Sequence, residues 1–413
     1  MRLSDRVQSL IPRTHLAAAA AEAPARSVAT QLDELIRDAW EQGASDLHLL
    51  PGGSEVEARV RVDGALLPFL HIAHSEFQPI LARLKVLADL RTDERFQPQD
   101  GRFTFMLPDG AVLDVRLSLA PAHHGESAVL RLLPSSAKAR SFGDLGMRNA
   151  HQLLARRALE RPYGLLLATG PTGSGKTTLL YTLLRELSTG TRSIVTLEDP
   201  IEYALPGVTQ IPVHAGRGMT FSKGLRSILR QDPDVLLVGE VRDAETAQLS
   251  VNAALTGHLV LSSLHANDAP SAVPRLLDLG VEPYLLASTL DLVVSQRLVR
   301  RICPDCCEEH RPEERLLERI RPLVHEALPG SDTFHRGRGC ETCRGTGYRG
   351  RIGVFEILRM DEPLRDAVFE RASASMLRDR ARSLGMRTLL EDGLKKARKG
   401  ITSIEEIARL SYV

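Results

Sequence analysis

Apolar residues recur along this chain with two different periods, and the changes of period mark out its elements. Between residues 28 and 40, Leu32, Leu35, Ile36 and Ala39 share one helical face. Residues 47–50 and 56–62 alternate as half-buried strands do, and Asp63-Gly64 between them and the next run is a hairpin turn. A second helix is predicted over 80–90. A second hairpin follows, from 102–107 and 112–117 around Pro108-Asp109-Gly110, and a strand at 127–133 closes the sheet. These elements make a small α/β domain, 28–134. The polar stretch 135–141 reads as a linker. Residues 1–27 have the composition of a flexible tail rather than a docking segment, although Leu10, Ile11 and Pro12 cluster there.

From 142 onward the pattern changes. Short continuous apolar runs at 165–168, 193–197, 235–238 and 258–263 alternate with helical-period stretches at 179–187, 222–230 and 244–254. Buried strands alternating with helices predict a parallel sheet covered on both faces, with ligands at the C-terminal strand edge. The first run opens into Gly170-Pro171-Thr172-Gly173-Ser174-Gly175-Lys176-Thr177-Thr178, the complete pattern G-x-x-x-x-G-K-[ST]. Its glycines let backbone N–H groups wrap a phosphate, and the helix that follows points its positive end there. Lys176 is placed to reach the β- and γ-phosphates, and the Thr177 hydroxyl to ligate Mg²⁺. The later runs deliver Glu198 and Glu202, then Glu240, then His265, with His258 opening the last run. Three polar clusters at three successive strand ends of a P-loop sheet are hard to attribute to helix capping alone.

Cys303, Cys306, Cys340 and Cys343 form C-x-x-C…C-x-x-C, with Cys307 as a fifth thiol. Two such knuckles suit tetrahedral, structural Zn²⁺; reduced buried thiols and a disulfide are the alternatives. Residues 311–328, between the knuckles, read as helical. A strand is predicted at 352–358, and 364–410 is mostly helical with breaks at Gly385 and Gly400. The basic run at 395–399 reads as a solvated helix end.

Composition narrows the function. A length of 413 residues implies two or three domains. A formal net charge of +1 with 4% aromatic residues argues against a RecA-like nucleic-acid motor, so no nucleic acid is expected as a partner. The chain has neither an apolar run of membrane-span length nor a signal-peptide core, and a cytoplasmic location is expected. Arg102 and Arg116 stand on neighbouring hairpin strands beside Asp100 and Asp114, an arrangement equally open to surface ion pairing and to function.

The chain resembles the secretion ATPases of type II secretion and type IV pilus assembly, from about Ser45 to the C-terminus. The carrying motifs are GPTGSGKTT at Gly170, VTLEDPIEY at Val195, LRQDPDVLLVGEVRD at Leu229 and ALTGHLVLSSLHANDA at Ala254. SDLHL at Ser45, RVRVDG at Arg59, PQDGRF at Pro98 and DVRLS at Asp114 extend the likeness into the small domain. The resemblance implies an α/β fold with a PAS-like N-terminal arm, a RecA-like P-loop ATPase core over 142–413, a Cys₄ zinc insertion at 299–353 and a helical C-terminal part at 354–413. It implies ATP, Mg²⁺ and Zn²⁺ as ligands, and a homo-hexamer working at an inner-membrane secretion or pilus platform. Position by position, Glu202 matches the glutamate that handles the attacking water, Glu240 the Mg²⁺-side acid, and His258 and His265 the histidine box. Arg102 and Arg116 match arm arginines that reach nucleotide. Gly239 stands where P-loop enzymes usually carry an aspartate, a variation the family shares.

Overall fold

A computed structural model describes residues 27–134, 140–324 and 333–411. The predicted tail, most of the predicted linker and the end of the helical stretch predicted between the knuckles lie outside the described residues. Two compact units divide the chain, Met1–Ala137 and Lys138–Val413.

In the first unit, a helix over Val28–Glu41 buries Leu32, Leu35, Ile36 and Ala39, the face that its periodicity marks. It begins at Ser27, whose hydroxyl accepts from the Thr30 N–H as an N-cap does. Six antiparallel strands follow: β1 (Ala44–Pro51), β2 (Glu55–Val62), β3 (Ala65–Ala73), β4 (Gln99–Met106), β5 (Val112–Ala122) and β6 (Gly125–Pro134). They lie in the order β3-β2-β1-β6-β5-β4. Alternate residues such as Val56, Ala58 and Val60 or Leu113, Val115 and Leu117 point into one core, and Trp40 packs against it from the first helix. The second helix spans His74–Leu87 rather than 80–90. Pro79, which looks like a helix start, sits inside it, and Asp89 in the left-handed region (φ 54°) ends the turn after it.

The second unit is built on seven strands: β7 (Gly164–Thr169), β8 (Ile194–Glu198), β9 (Thr209–Pro212), β10 (Val235–Val241), β11 (Leu259–Leu264), β12 (Leu290–Ile302) and β15 (Tyr348–Arg359), in the order β15-β12-β7-β11-β10-β8-β9. Every neighbouring pair is parallel except β12 with β15. The sheet buries side chains on both faces. Leu165 and Leu167 enter the core that also holds Leu225, Val251 and Leu276. Leu166 and Ala168 enter the core with Leu179, Leu183 and Phe355. Periodicity does not predict β12, because Asp291, Ser295, Gln296 and Arg297 interrupt its apolar run although all four are buried.

A two-stranded ribbon, β13 (Cys307–His310) with β14 (Phe334–Gly337), carries the cysteine region. Four C-terminal helices follow, Glu362–Phe369, Ala374–Ser383, Leu389–Arg398 and Ile404–Leu410, broken at Gly385 and Gly400 as expected.

The basic run departs from its expected solvated state. Lys396 is buried, its ammonium 2.6 Å from Asp392 Oδ2 and donating to Gly353 O at 2.7 Å. Asp392, fully buried, is also 2.9 Å from Arg148 and accepts from the Phe355 N–H at 3.0 Å. An acid one turn earlier on the helix thus lets the lysine enter the core. His151 joins this cluster through Arg148.

Burial, then the neighbouring Arg148 guanidinium, push the His151 imidazole down to about 4. An unfolded histidine binds its proton near pH 6.5. Between these values the unfolded state holds the extra proton, so stability is full above about pH 6.5 and falls as pH drops toward 4, by about 3 kcal/mol from this residue. Denaturant unfolding across that range is expected to show a shallower pH slope in His151→Phe than in the wild type. Equal slopes would remove His151 as the source.

Candidate functional site

The P-loop joins the end of β7 to the helix Lys176–Leu187. Gly175 caps that helix in the left-handed region (φ 92°). A Cβ on Gly175 would lie 2.7 Å from Gln296 Nε2, and one on Gly170 would lie 2.6 Å from Gln296 O, so the loop is pressed against β12 as only glycine allows. The first helical N–H groups, which have no partner within the helix, point into the loop. The Lys176 ammonium donates to Gly170 O at 2.7 Å and Pro171 O at 3.0 Å, folding back over the loop that cradles phosphate in such motifs. Burial lowers its pKa, with Glu240 opposing that shift and Arg297 adding to it. Ser174 Oγ, in the loop, is buried with no hydrogen-bond partner. A buried hydroxyl in a ring of backbone donors, beside a lysine, fits an anionic ligand.

The acidic and histidine residues sort unequally around this loop. Glu240, in the last turns of β10, pairs with Arg242 at 2.5 Å and lies 3.7 Å from His265 Nε2. Burial and the Lys176 charge both lower the His265 pKa, against Glu240. Glu198 closes β8 and is nearly fully buried, accepting from Thr196 Oγ1 at 2.6 Å, Gln210 Nε2 at 3.1 Å and the Tyr181 hydroxyl. Tyr181 stands on the P-loop helix, and its oxygen accepts from the Glu202 N–H at 3.3 Å. The acidic loop carrying Glu202 is therefore tied to the P-loop helix through one phenol.

His258 does not join His265. It precedes β11, where its Nδ1 meets Ala253 O at 2.9 Å, and its own carbonyl accepts from Gly164 N at the start of β7. That is the edge opposite the P-loop, about 20 Å away along a six-residue strand and its flanks. The expected histidine pair is thus not a pair: the two ends of one strand look alike in sequence, and only His265 belongs to the phosphate edge. Arg102 and Arg116 face each other across β4 and β5 in the first unit, with Arg116 3.8 Å from Asp114.

Two residues absent from the sequence expectations join the P-loop. Gln296, 1% exposed, braces Gly170 and Gly175; Arg297, also buried, donates to Asn267 O at 3.0 Å. Their signal was three consecutive polar residues inside an apolar run.

Away from this edge, Cys303, Cys306, Cys340 and Cys343 place their sulfurs within 4.8 Å of one another, with non-covalent contacts of 3.7–3.8 Å between neighbouring sulfurs. A tetrahedral metal with thiolates at about 2.3 Å requires about 3.8 Å between sulfurs. Backbone N–H groups of Gly339 (3.3 Å to Cys306 Sγ) and Gly347 (3.2 Å to Cys343 Sγ) point at the cluster, as suits thiolates. All five cysteines are free, and Cys307 is exposed on β13 outside the cluster.

A glycine-rich phosphate loop at the centre of a parallel sheet, with a lysine, a glutamate and a histidine at the same edge, defines a RecA-like P-loop ATPase. A family model described as "Type II/IV secretion system protein" matches residues 21–409, and the chain belongs to that family. It is 42% identical over 375 residues to the "Type IV pilus assembly ATPase PilB" of Thermus thermophilus, covering 91% of this chain but 42% of that protein. It is equally 42% identical over 380 residues to the "Type II secretion system ATPase E" of Vibrio cholerae, covering 92% of this chain and 74% of that protein. Among solved structures, the pilus retraction motor PilT with bound ADP matches at TM-score 0.60 and 26% identity, over 92% of this chain and 96% of that one. No helix among the described residues is long and apolar enough to cross a membrane.

Gly175→Ala is expected to weaken ATP binding roughly tenfold, because a left-handed alanine costs about 1–2 kcal/mol and its Cβ meets Gln296. Titration with a fluorescent ATP analogue measures this; unchanged affinity would mean that the loop does not hold phosphate in this conformation.

Proposed function

We propose that this chain is the ATP-hydrolysing motor of a type II secretion machine, which assembles a pseudopilus at an inner-membrane platform. A type IV pilus or competence pseudopilus assembly motor is the second reading, favoured by the likeness to the Thermus protein. The observation that carries the motor assignment is the meeting, at one sheet edge, of the P-loop, Lys176, Glu240 and His265. The working form proposed is a cytoplasmic homo-hexamer held at the membrane by platform proteins.

In this reading the backbone of Gly170, Pro171, Thr172, Gly173, Ser174 and Gly175 and the Lys176 ammonium bind the phosphates, with Thr177 and Thr178 opening the helix beneath them. Thr177 and, by way of water, Glu240 would hold Mg²⁺, which would supply charge neutralisation to the bound phosphates. Glu202 orients the attacking water and accepts its proton. Glu198 is a poor candidate for that role, because its oxygens are already occupied by Tyr181, Thr196 and Gln210 in a nearly closed site. His265 senses the γ-phosphate side of Glu240. Arg102 and Arg116 supply guanidinium charge to phosphoryl oxygens, which an ammonium would do poorly. Cys303, Cys306, Cys340 and Cys343 would hold one structural Zn²⁺, whose four-thiolate shell would leave no open position for catalysis.

Glu202→Gln is expected to keep ATP affinity while turnover falls on the order of 10²-fold or more, because the amide keeps the shape but cannot take a proton. Steady-state ATPase rates beside nucleotide titration test this. Undiminished turnover would move the role to Glu240.

Freshly reduced protein is expected to contain about one zinc per chain. Cys307→Ser should retain it, whereas Cys306→Ser should lose it, as read by elemental analysis. Zinc-free wild-type protein would reduce the cluster to packed thiols.

A further inference from the structure

The loop that follows β11 carries more than His265. Asn267 O accepts from Arg297 Nη2 at 3.0 Å, and Asp268 O accepts from Thr169 Oγ1, at the end of the P-loop strand, at 3.4 Å. The Asp268 carboxylate caps Ser271 N at 2.9 Å and pairs at 2.5 Å with Arg378, which stands on the C-terminal helix Ala374–Ser383. The next residue, Ala269, donates its N–H to Glu356 Oε1 on β15 at 2.8 Å. The other oxygen of Glu356, a 2% exposed carboxylate, accepts at 3.4 Å from Leu389 N, where the helix Leu389–Arg398 begins.

Three successive residues therefore take hold of the phosphate edge on one side and of the C-terminal helices on the other. On the phosphate side, Arg297 is close enough to Lys176 to lower its pKa. Arg297 follows Gln296, which braces Gly170 and Gly175 of the P-loop, and it is bonded to the backbone beside Asp268. On the helix side, the Asp268–Arg378 contact joins residues that are far apart in sequence and partly shielded from water, with 18% and 34% of their side chains exposed. A charge-assisted pair in such surroundings is stronger and more directional than one on an open surface.

Resting on the ATPase reading above, we propose that Asp268 is a positioning residue that couples nucleotide at the P-loop to the seating of the helix Ala374–Ser383 through Arg378. Nucleotide and helix then bias one two-state element, the 265–269 loop, and each shifts the other by the same coupling free energy. Asp268 touches neither phosphate nor water in this scheme. It shares its loop with His265 and with Asn267, whose carbonyl holds Arg297, and through Arg378 it transmits their displacement to the helix Ala374–Ser383.

The test uses the full chain in its assembled form, with a non-hydrolysable ATP analogue and Mg²⁺ as the probe. Hydrogen exchange in the helix Ala374–Ser383 is expected to slow at least about threefold when the analogue binds wild-type protein. That slowing should vanish in Asp268→Asn and in Arg378→Gln, although both still bind the analogue. Turnover in each should fall roughly tenfold with KM for ATP unchanged within about twofold, and the double variant should be no slower than either single one. Analogue binding to the wild type without any change in the helix, or an identical change in both variants, overturns the coupling and leaves the ATPase reading standing. A wild-type chain that fails to bind the analogue overturns both. Should Asp268→Asn fail to fold by circular dichroism, Arg378→Gln carries the comparison alone.

Discussion

Gly170 and Gly175 approach Gln296 more closely than any side chain would permit, and the second unit is arranged so that they can. The approach requires β12 to run beside β7, parallel and in register, with Ser295 opposite Thr169. A parallel neighbour cannot be reached by a hairpin, so the chain must leave the sheet, pass through helices and return. Repeated for β8, β10 and β11, that necessity covers both faces and drives each strand toward an unbroken apolar run. Polar residues then concentrate at strand ends, with the Ser295-Gln296-Arg297 run inside β12 as an exception that faces the P-loop side. The clustering of Lys176, Glu240 and His265 follows from this: the C-terminal edge is where the alternation of strand and helix leaves chemistry exposed.

The same reasoning explains what could be read in advance. The face of the first helix, both hairpins, the P-loop and the two knuckles all announce themselves locally, by period, turn residues or spacing. What escaped depends on partners remote in sequence. β12 hid because Asp291, which looks like a strand breaker, is held by Arg161 at 2.5 Å and Arg365 at 3.3 Å. His258 and His265 bracket one strand, and only the direction of its pairing with β7 says which end meets phosphate. Lys396 sits in a run of cations that reads as solvated, yet Asp392 neutralises it inside the core. The missing information was a charge partner on other elements for Asp291, the direction of strand pairing for the histidines, and for Lys396 the burial of a face that its own helix neutralises through Asp392, none of which periodicity records.

Buried or partly buried charge is thus a recurring device in this unit. Asp392 gathers Arg148 and Lys396, Asp268 gathers Arg378, and Glu406 accepts from Arg300 at 2.7 Å. Such groups stabilise little against apolar replacements of equal volume, but each strongly disfavours any packing in which its partner is displaced. They tie the C-terminal helices to one arrangement on β12, β15 and the loop that follows β11. The fold of the cysteine region is joined to the same framework, since Ile302, one residue before the first knuckle, donates its N–H to Ile401 O at 3.0 Å.

The packing of Trp40 on the first helix has an optical consequence. It is the one tryptophan in the chain, while all six tyrosines, Tyr163, Tyr181, Tyr203, Tyr284, Tyr348 and Tyr412, fall in the second unit. Emission excited at the red edge, where tyrosine does not absorb, therefore follows the arm alone, and tyrosine absorbance follows the core alone. The two halves of the chain carry separate, native labels, so the melting or nucleotide response of each can be recorded in one cuvette without a dye.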